Sequence, residues 1–128
     1  MEKLKYDWNG KTILIAEDED MNYFLLSEAF SKTGAIIIRA FNGIEVVEKF
    51  QKLPQTDLIL MDIKMPLMNG YEAGMKIREI SDVPIIAQTA YAMAGEETKS
   101  KSSGCNAYIS KPMKIAEIMA LIDGFLFK

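Results

Sequence analysis

Short apolar runs rich in β-branched residues alternate along the chain with longer stretches whose apolar positions recur at helical spacing. Thr12-Ile13-Leu14-Ile15-Ala16 predicts a strand that ends on acids. Residues 22–33 predict a helix stopped by Gly34, and residues 35–40, with three consecutive isoleucines, a second strand. A helix over 44–52 ends at Leu53-Pro54. Leu58-Ile59-Leu60-Met61 is a third strand, ending on Asp62. Residues 65–70 read as a loop by their Pro and Asn-Gly, and residues 71–80 as a helix. Residues 84–87 make a fourth strand, ending at Gln88-Thr89, and residues 94–103 a short polar helix. Ala107-Tyr108-Ile109 is a fifth strand, ending at Ser110-Lys111. Over 115–127, Ile115, Ile118, Met119 and Ile122 share one helical face. Five βα units imply an α/β fold with a parallel sheet and helices on both faces. Near-continuous apolar strands suit a sheet buried on both sides. Residues 1–10 read as a lead-in and residues 11–128 as one domain. Trp8 lies outside the five units, which places it at the domain edge or at a junction with another domain.

The length of 128 residues agrees with one domain. A net charge of −3 argues against a nucleic-acid partner. The chain has no histidine, which excludes Ser-His-Asp and Cys-His nucleophile systems and any zinc site built on imidazole. Its one cysteine, Cys105, cannot close an internal disulfide, and a reducing compartment fits. No apolar run nears the ~18–20 residues that span a bilayer, and residues 1–10 are too polar for a signal peptide. A soluble, cytoplasmic protein without membrane contact is expected.

In open α/β sheets the site lies beyond the carboxyl ends of the strands. There the first run ends in Glu17-Asp18-Glu19-Asp20, the third in Asp62, the fourth in Thr89 and the fifth in Lys111. Clustered carboxylates repel one another, and a cation relieves this. Mg²⁺ takes hard oxygen ligands and needs only one or two carboxylates. A lysine beside it suits phosphoryl oxygens, and a threonine hydroxyl adds one hydrogen bond. The chemistry indicated is phosphoryl transfer onto a carboxylate.

These residues resemble a known family. Ile13-Leu14-Ile15-Ala16-Glu17-Asp18, Asp62-Ile63-Lys64-Met65-Pro66-Leu67-Met68-Asn69-Gly70, Thr89-Ala90 and Lys111-Pro112 look like the receiver domain of two-component response regulators, in the family's order and spacing. The resemblance covers residues 11–127. It implies a flavodoxin-like, doubly wound (βα)5 sandwich with strand order 2-1-3-4-5. It also implies that Asp62 accepts a phosphoryl group from a phosphohistidine of a histidine kinase or histidine phosphotransfer domain. Asp18, Asp62 and the backbone carbonyl of Lys64 would bind Mg²⁺, and Glu17 would act through a water. Lys111 would pair with the phosphoryl oxygens, and Thr89 would move to hydrogen-bond them. Tyr108 matches the aromatic switch position, and the Lys111-Pro112 bond is typically cis in the family. The face carrying the fourth helix, Tyr108 and the last helix would be the readout surface. Slow self-phosphorylation and self-dephosphorylation are implied, but not an enzyme.

Plainer readings stand beside these. Asp62 alone would be a strand-end residue, Lys111 a solvated lysine, Thr89 an ordinary strand residue and Tyr108 a half-buried one. Glu19 and Asp20 read as helix N-terminal acids. Company at family spacing favours the functional reading for Asp62, Asp18 and Lys111. The lead into residue 15 and the stretch 84–93 look more like receivers of hybrid histidine kinases than stand-alone relay regulators, so a fragment of such a kinase, membrane-anchored or not, is expected. A haloacid-dehalogenase-like phosphatase would need an acid where Lys64 stands. A flavodoxin-like cofactor binder would need a phosphate-cradling loop where residues 17–20 are acidic. A pseudo-receiver would normally lack the acceptor or the lysine, and both are present. Gln88 departs from the family's usual apolar residue.

Overall fold

The five apolar runs pair as one parallel sheet in a computed structural model, which describes residues 6–89 and 103–128. The strands are β1 (Thr12–Ala16), β2 (Ile36–Ala40), β3 (Leu58–Asp62), β4 (Ile85–Thr89) and β5 (Ala107–Ser110). Their order is β2-β1-β3-β4-β5, as the resemblance implied. Among the described residues the helices are α1 (Asp20–Ser31), α2 (Gly43–Lys52), α3 (Gly70–Arg78) and α4 (Ile115–Leu126). The helix expected over 94–103 falls largely outside the described residues.

Two cores flank the sheet because successive side chains of a strand point to opposite faces. Leu14, Ala16, Ile59, Met61, Ile85 and Ala87 pack against Val46 and Phe50 of α2 and Ala73 and Ile77 of α3. Ile13, Ile15, Leu58, Leu60, Ile86 and Ile109 pack against α1 and α4 through Leu26, Phe30, Ile118 and Ile122. β3 and β4 are buried along their whole length, which is why their sequences show no alternation.

Some boundaries differ from the sequence pattern. β4 runs on through Thr89, because Gln88 and Thr89 stay in register with Asp62 and Ser110. α1 starts at Asp20, since an acid in the first turn is favoured by the helix dipole. Gly70 opens α3 rather than closing the loop before it.

Trp8 is the largest departure. It is fully buried among Tyr6, Phe30 and the α1/α4 core, not at an edge or a junction. Its ring meets Phe30 edge-on at 5.5 Å, and its Nε1 donates to Asp123 Oδ1 at 2.9 Å. An aromatic ring of this size carries enough apolar area to draw its own segment into the core. Among the described residues, no helix is long and apolar enough to cross a membrane.

Candidate functional site

Because all five strands run parallel, their carboxyl ends share one rim, where the chain leaves β1 into an acidic turn and β3 ends on Asp62. Glu17 follows β1 directly. Its amide donates to the Ala40 carbonyl at 3.0 Å, and its own Oε2 accepts from the Glu19 amide at 3.1 Å. Glu17 is buried at 1% exposure while Asp18 beside it is exposed. Asp62 ends β3 and is buried. Each of Glu17, Asp18 and Asp62 brings a carboxylate oxygen within 4.8 Å of the others.

Lys111 reaches this group from the chain after β5. Its Nζ donates to Asp62 Oδ2 at 3.0 Å. The Lys111-Pro112 peptide is cis, as the resemblance implied. The other oxygen, Asp62 Oδ1, accepts from the Lys64 amide at 3.2 Å. Both oxygens of Asp62 are thus held, one by an ammonium and one by a main-chain N–H.

Burial pushes the Glu17 carboxyl up to about 7, and the charges of Asp62 and Asp18 push the same way. The Glu19 amide and the Lys111 ammonium oppose the rise and do not cancel it. Burial disfavours charge on Lys111, but the hydrogen bond and charge of Asp62 outweigh it and hold the ammonium above its usual value. Glu17 Oε1 is buried and has no hydrogen-bond partner. A buried oxygen without a donor, beside two further carboxylates, fits a hard divalent cation: the donors are all oxygen, and the cation supplies the positive charge the acids lack.

Thr89 lies at the end of β4, on the sheet face of Ile85 and Ala87. Tyr108 on β5 pairs with Ala87, is half-buried and packs on that same face. The Thr89 carbonyl accepts from the Lys111 amide at 2.7 Å. Glu17, Asp18, Asp62, Thr89 and Lys111 thus stand at the strand ends, while Tyr108 lies within β5 beside Ala87. Thr89 and Tyr108 lie on the α2/α3 face, while the carboxylates and Lys111 meet at the strand ends.

One contributor escaped the sequence pattern. Arg39 on β2 donates from Nε and Nη2 to the Glu17 carbonyl at 3.1 and 3.0 Å. It stands within the second predicted strand, and its role depends on pairing with β1, which no local spacing reveals.

The chain matches the family model described as the response regulator receiver domain over residues 13–123. It is 35% identical to the polar-differentiation response regulator DivK of Brucella anthropi, over 91% of this chain and 96% of DivK. The receiver domain of the sensor histidine kinase PA1611 from Pseudomonas aeruginosa, solved with magnesium coordinated in its active-site cleft, superposes with a TM-score of 0.84 at 31% identity, covering 93% of this chain and 99% of that one. The receiver domain of Ssk1, co-crystallised with the histidine phosphotransfer protein Ypd1 of Saccharomyces cerevisiae, matches with a TM-score of 0.84 at 28% identity, over 94% and 89% of the two chains.

Proposed function

The chain belongs to the receiver-domain family of two-component signalling, and from that premise we propose that Asp62 accepts a phosphoryl group from a partner's phosphohistidine. The observation that carries this is the Lys111 Nζ contact to Asp62 Oδ2 at 3.0 Å, within a group of three carboxylates. An oxygen of Asp62 forms the bond to phosphorus as the P–N bond to the donor imidazole breaks and its electron pair returns to the ring nitrogen. Lys111 follows the developing charge on the phosphoryl oxygens and holds it afterwards. The Lys64 amide keeps the second oxygen of Asp62 turned in a fixed direction.

Glu17, Asp18, Asp62 and the backbone carbonyl of Lys64 would hold Mg²⁺, Glu17 through a water. The partnerless Oε1 of Glu17 supports this, and the magnesium reported in the PA1611 receiver agrees with it. When bound, Mg²⁺ supplies charge neutralisation to the transferring phosphoryl group.

Phosphorylation adds about −1.5 to −2 charges and three acceptor oxygens to Asp62. In that state the Thr89 hydroxyl donates to a phosphoryl oxygen, and Tyr108, on the same sheet face, follows it inward. The two residues bias a pre-existing equilibrium between two states of the domain. Tyr108 on β5 and the last helix, α4, contribute to the readout surface. The donor is a histidine kinase or a histidine phosphotransfer protein, as Ypd1 is for the Ssk1 receiver's complex. Met21, Phe24 and Leu25 expose apolar surface on α1 next to the acidic rim, a suitable contact for such a partner.

A receiver is a signalling module, and slow self-phosphorylation and self-dephosphorylation are the turnover proposed for it. The DivK relatives favour a stand-alone regulator. A receiver of a hybrid kinase is the second reading, favoured by the likeness to PA1611.

The test is intact mass after incubation with a small phosphodonor and Mg²⁺, for the wild type and Asp62→Asn. A single adduct that requires Mg²⁺ and disappears in the variant is expected. No adduct from either a small donor or a phosphohistidine donor would overturn the reading in favour of a pseudo-receiver.

A further inference from the structure

The acidic turn after β1 is gripped from the edge strand. The Glu17 amide donates to the Ala40 carbonyl at 3.0 Å. The Glu17 carbonyl accepts two hydrogen bonds from Arg39, from Nε at 3.1 Å and Nη2 at 3.0 Å. The same Nη2 pairs with Asp20 Oδ1 at 3.0 Å, three residues further along the turn. The guanidinium lies over two rings, 4.5 Å from the Tyr23 centroid and 4.0 Å from that of Phe41. Lys49 Nζ donates to the carbonyl of Arg39 itself. Arg39 is largely buried, with 16% of its side chain exposed.

Both main-chain groups of Glu17 are therefore fixed by β2, and Asp18 hangs between Glu17 and Asp20. A planar guanidinium fork held against two aromatic rings has few alternative positions, so it holds what it binds with little entropy still to lose. The turn contains four consecutive acids, Glu17 to Asp20, which would otherwise spread apart by mutual repulsion.

We infer that Arg39 is a positioning residue for the metal-binding turn: it fixes the Glu17 main chain so that the Glu17 and Asp18 carboxylates meet a divalent cation already arranged. The inference rests on the metal reading proposed above. Arg39 does not touch the cation or the phosphoryl group. It acts through the turn, as outer partners of metal ligands do.

The experiment is a Mg²⁺ titration of the unphosphorylated protein, followed by backbone amide shifts of residues 17–20, with the thermal midpoint of the metal-free protein measured alongside. Arg39→Gln is expected to weaken Mg²⁺ binding about tenfold. Arg39→Lys keeps the charge but not the fork and should fail to restore affinity. Phe41→Leu, which removes one stacking ring from a partly exposed position, should shift affinity in the same direction by less. Each of the following results would overturn the inference. Unchanged affinity in Arg39→Gln, with a lowered thermal midpoint, makes Arg39 a brace for the fold alone. Tighter Mg²⁺ binding in that variant means its charge merely repels the cation. Should Arg39→Gln fail to fold, unchanged affinity in Phe41→Leu decides against the clamp. A wild type that binds no Mg²⁺ overturns the metal reading and the clamp together; wild-type binding with unaltered variants overturns the clamp alone.

Discussion

At neutral pH Glu17 sits near its own titration midpoint, because burial beside Asp62 pushes its carboxyl up to about 7 from an ordinary 4.5. In the unfolded chain the same group ionises near the lower value. Between the two, the folded state binds more protons, so its stability is greatest below the lower value and falls as pH rises towards the upper one. The metal-free protein should therefore lose on the order of 2 kcal/mol from near pH 5 to near pH 8, read as a urea midpoint. Glu17→Gln should flatten that dependence, and saturating Mg²⁺ should restore stability at the alkaline end. No fall in the wild type would mean that Glu17 is already ionised, or relieved by solvent. At this scale Asp62, Asp18 and Lys111 were legible from spacing. The burial of Glu17 was not, since an acid after an apolar run looks the same whether the turn is open or closed.

Helix α3 shows how one short motif serves two elements. Asn69 caps it by accepting from the Glu72 amide at 2.9 Å, and Glu72 Oε1 accepts from the Asn69 amide at 3.1 Å. Asn-Gly reads as a turn in sequence, but the glycine is the first helical residue for a different reason. A Cβ on Gly70 would stand 2.7 Å from the Asp62 carbonyl oxygen and 2.9 Å from the Ile63 Cα. Both obstacles are backbone, so something in the β3 exit must move. Gly70→Ala should cost about 1–3 kcal/mol by overpacking. It should also slow adduct formation at Asp62, measured by intact mass against time. Wild-type stability and rate would show that the β3 exit gives way without consequence. The neighbouring turn is tied in likewise, with the Gly43 amide of α2 donating to the Met68 carbonyl at 3.0 Å. The capping residues were present in the sequence pattern; the closeness of α3 to the Asp62 main chain is a packing fact.

Across the whole molecule, the two faces of the sheet divide the labour. The α2/α3 side holds Thr89 and Tyr108, and the α1/α4 side holds the largest buried ring, Trp8. Trp8 joins the segment before β1 to α4 through Asp123, and its amide donates to the Thr33 carbonyl at 2.8 Å after α1. Trp8→Ala should destabilise by about 3–5 kcal/mol, as for other buried aromatic truncations. A denaturant midpoint within experimental error of the wild type would mean that the lead-in packs without contributing. Residues 1–10 are polar on average, so composition hid the role of this segment.

What the sequence alone determined is the alternation of strands and helices, the parallel sheet, and the acids, threonine and lysine standing at strand ends. Side-chain period and apolar area decide those locally. The tertiary structure alone decided which distant groups touch. It set Arg39 of β2 on the Glu17 carbonyl of the neighbouring strand, sealed Glu17 until one of its oxygens lost every donor, and drew Trp8 across to Asp123. The reason is physical: pattern reports which face of an element is apolar, whereas desolvation and hydrogen bonding depend on which elements close over that face.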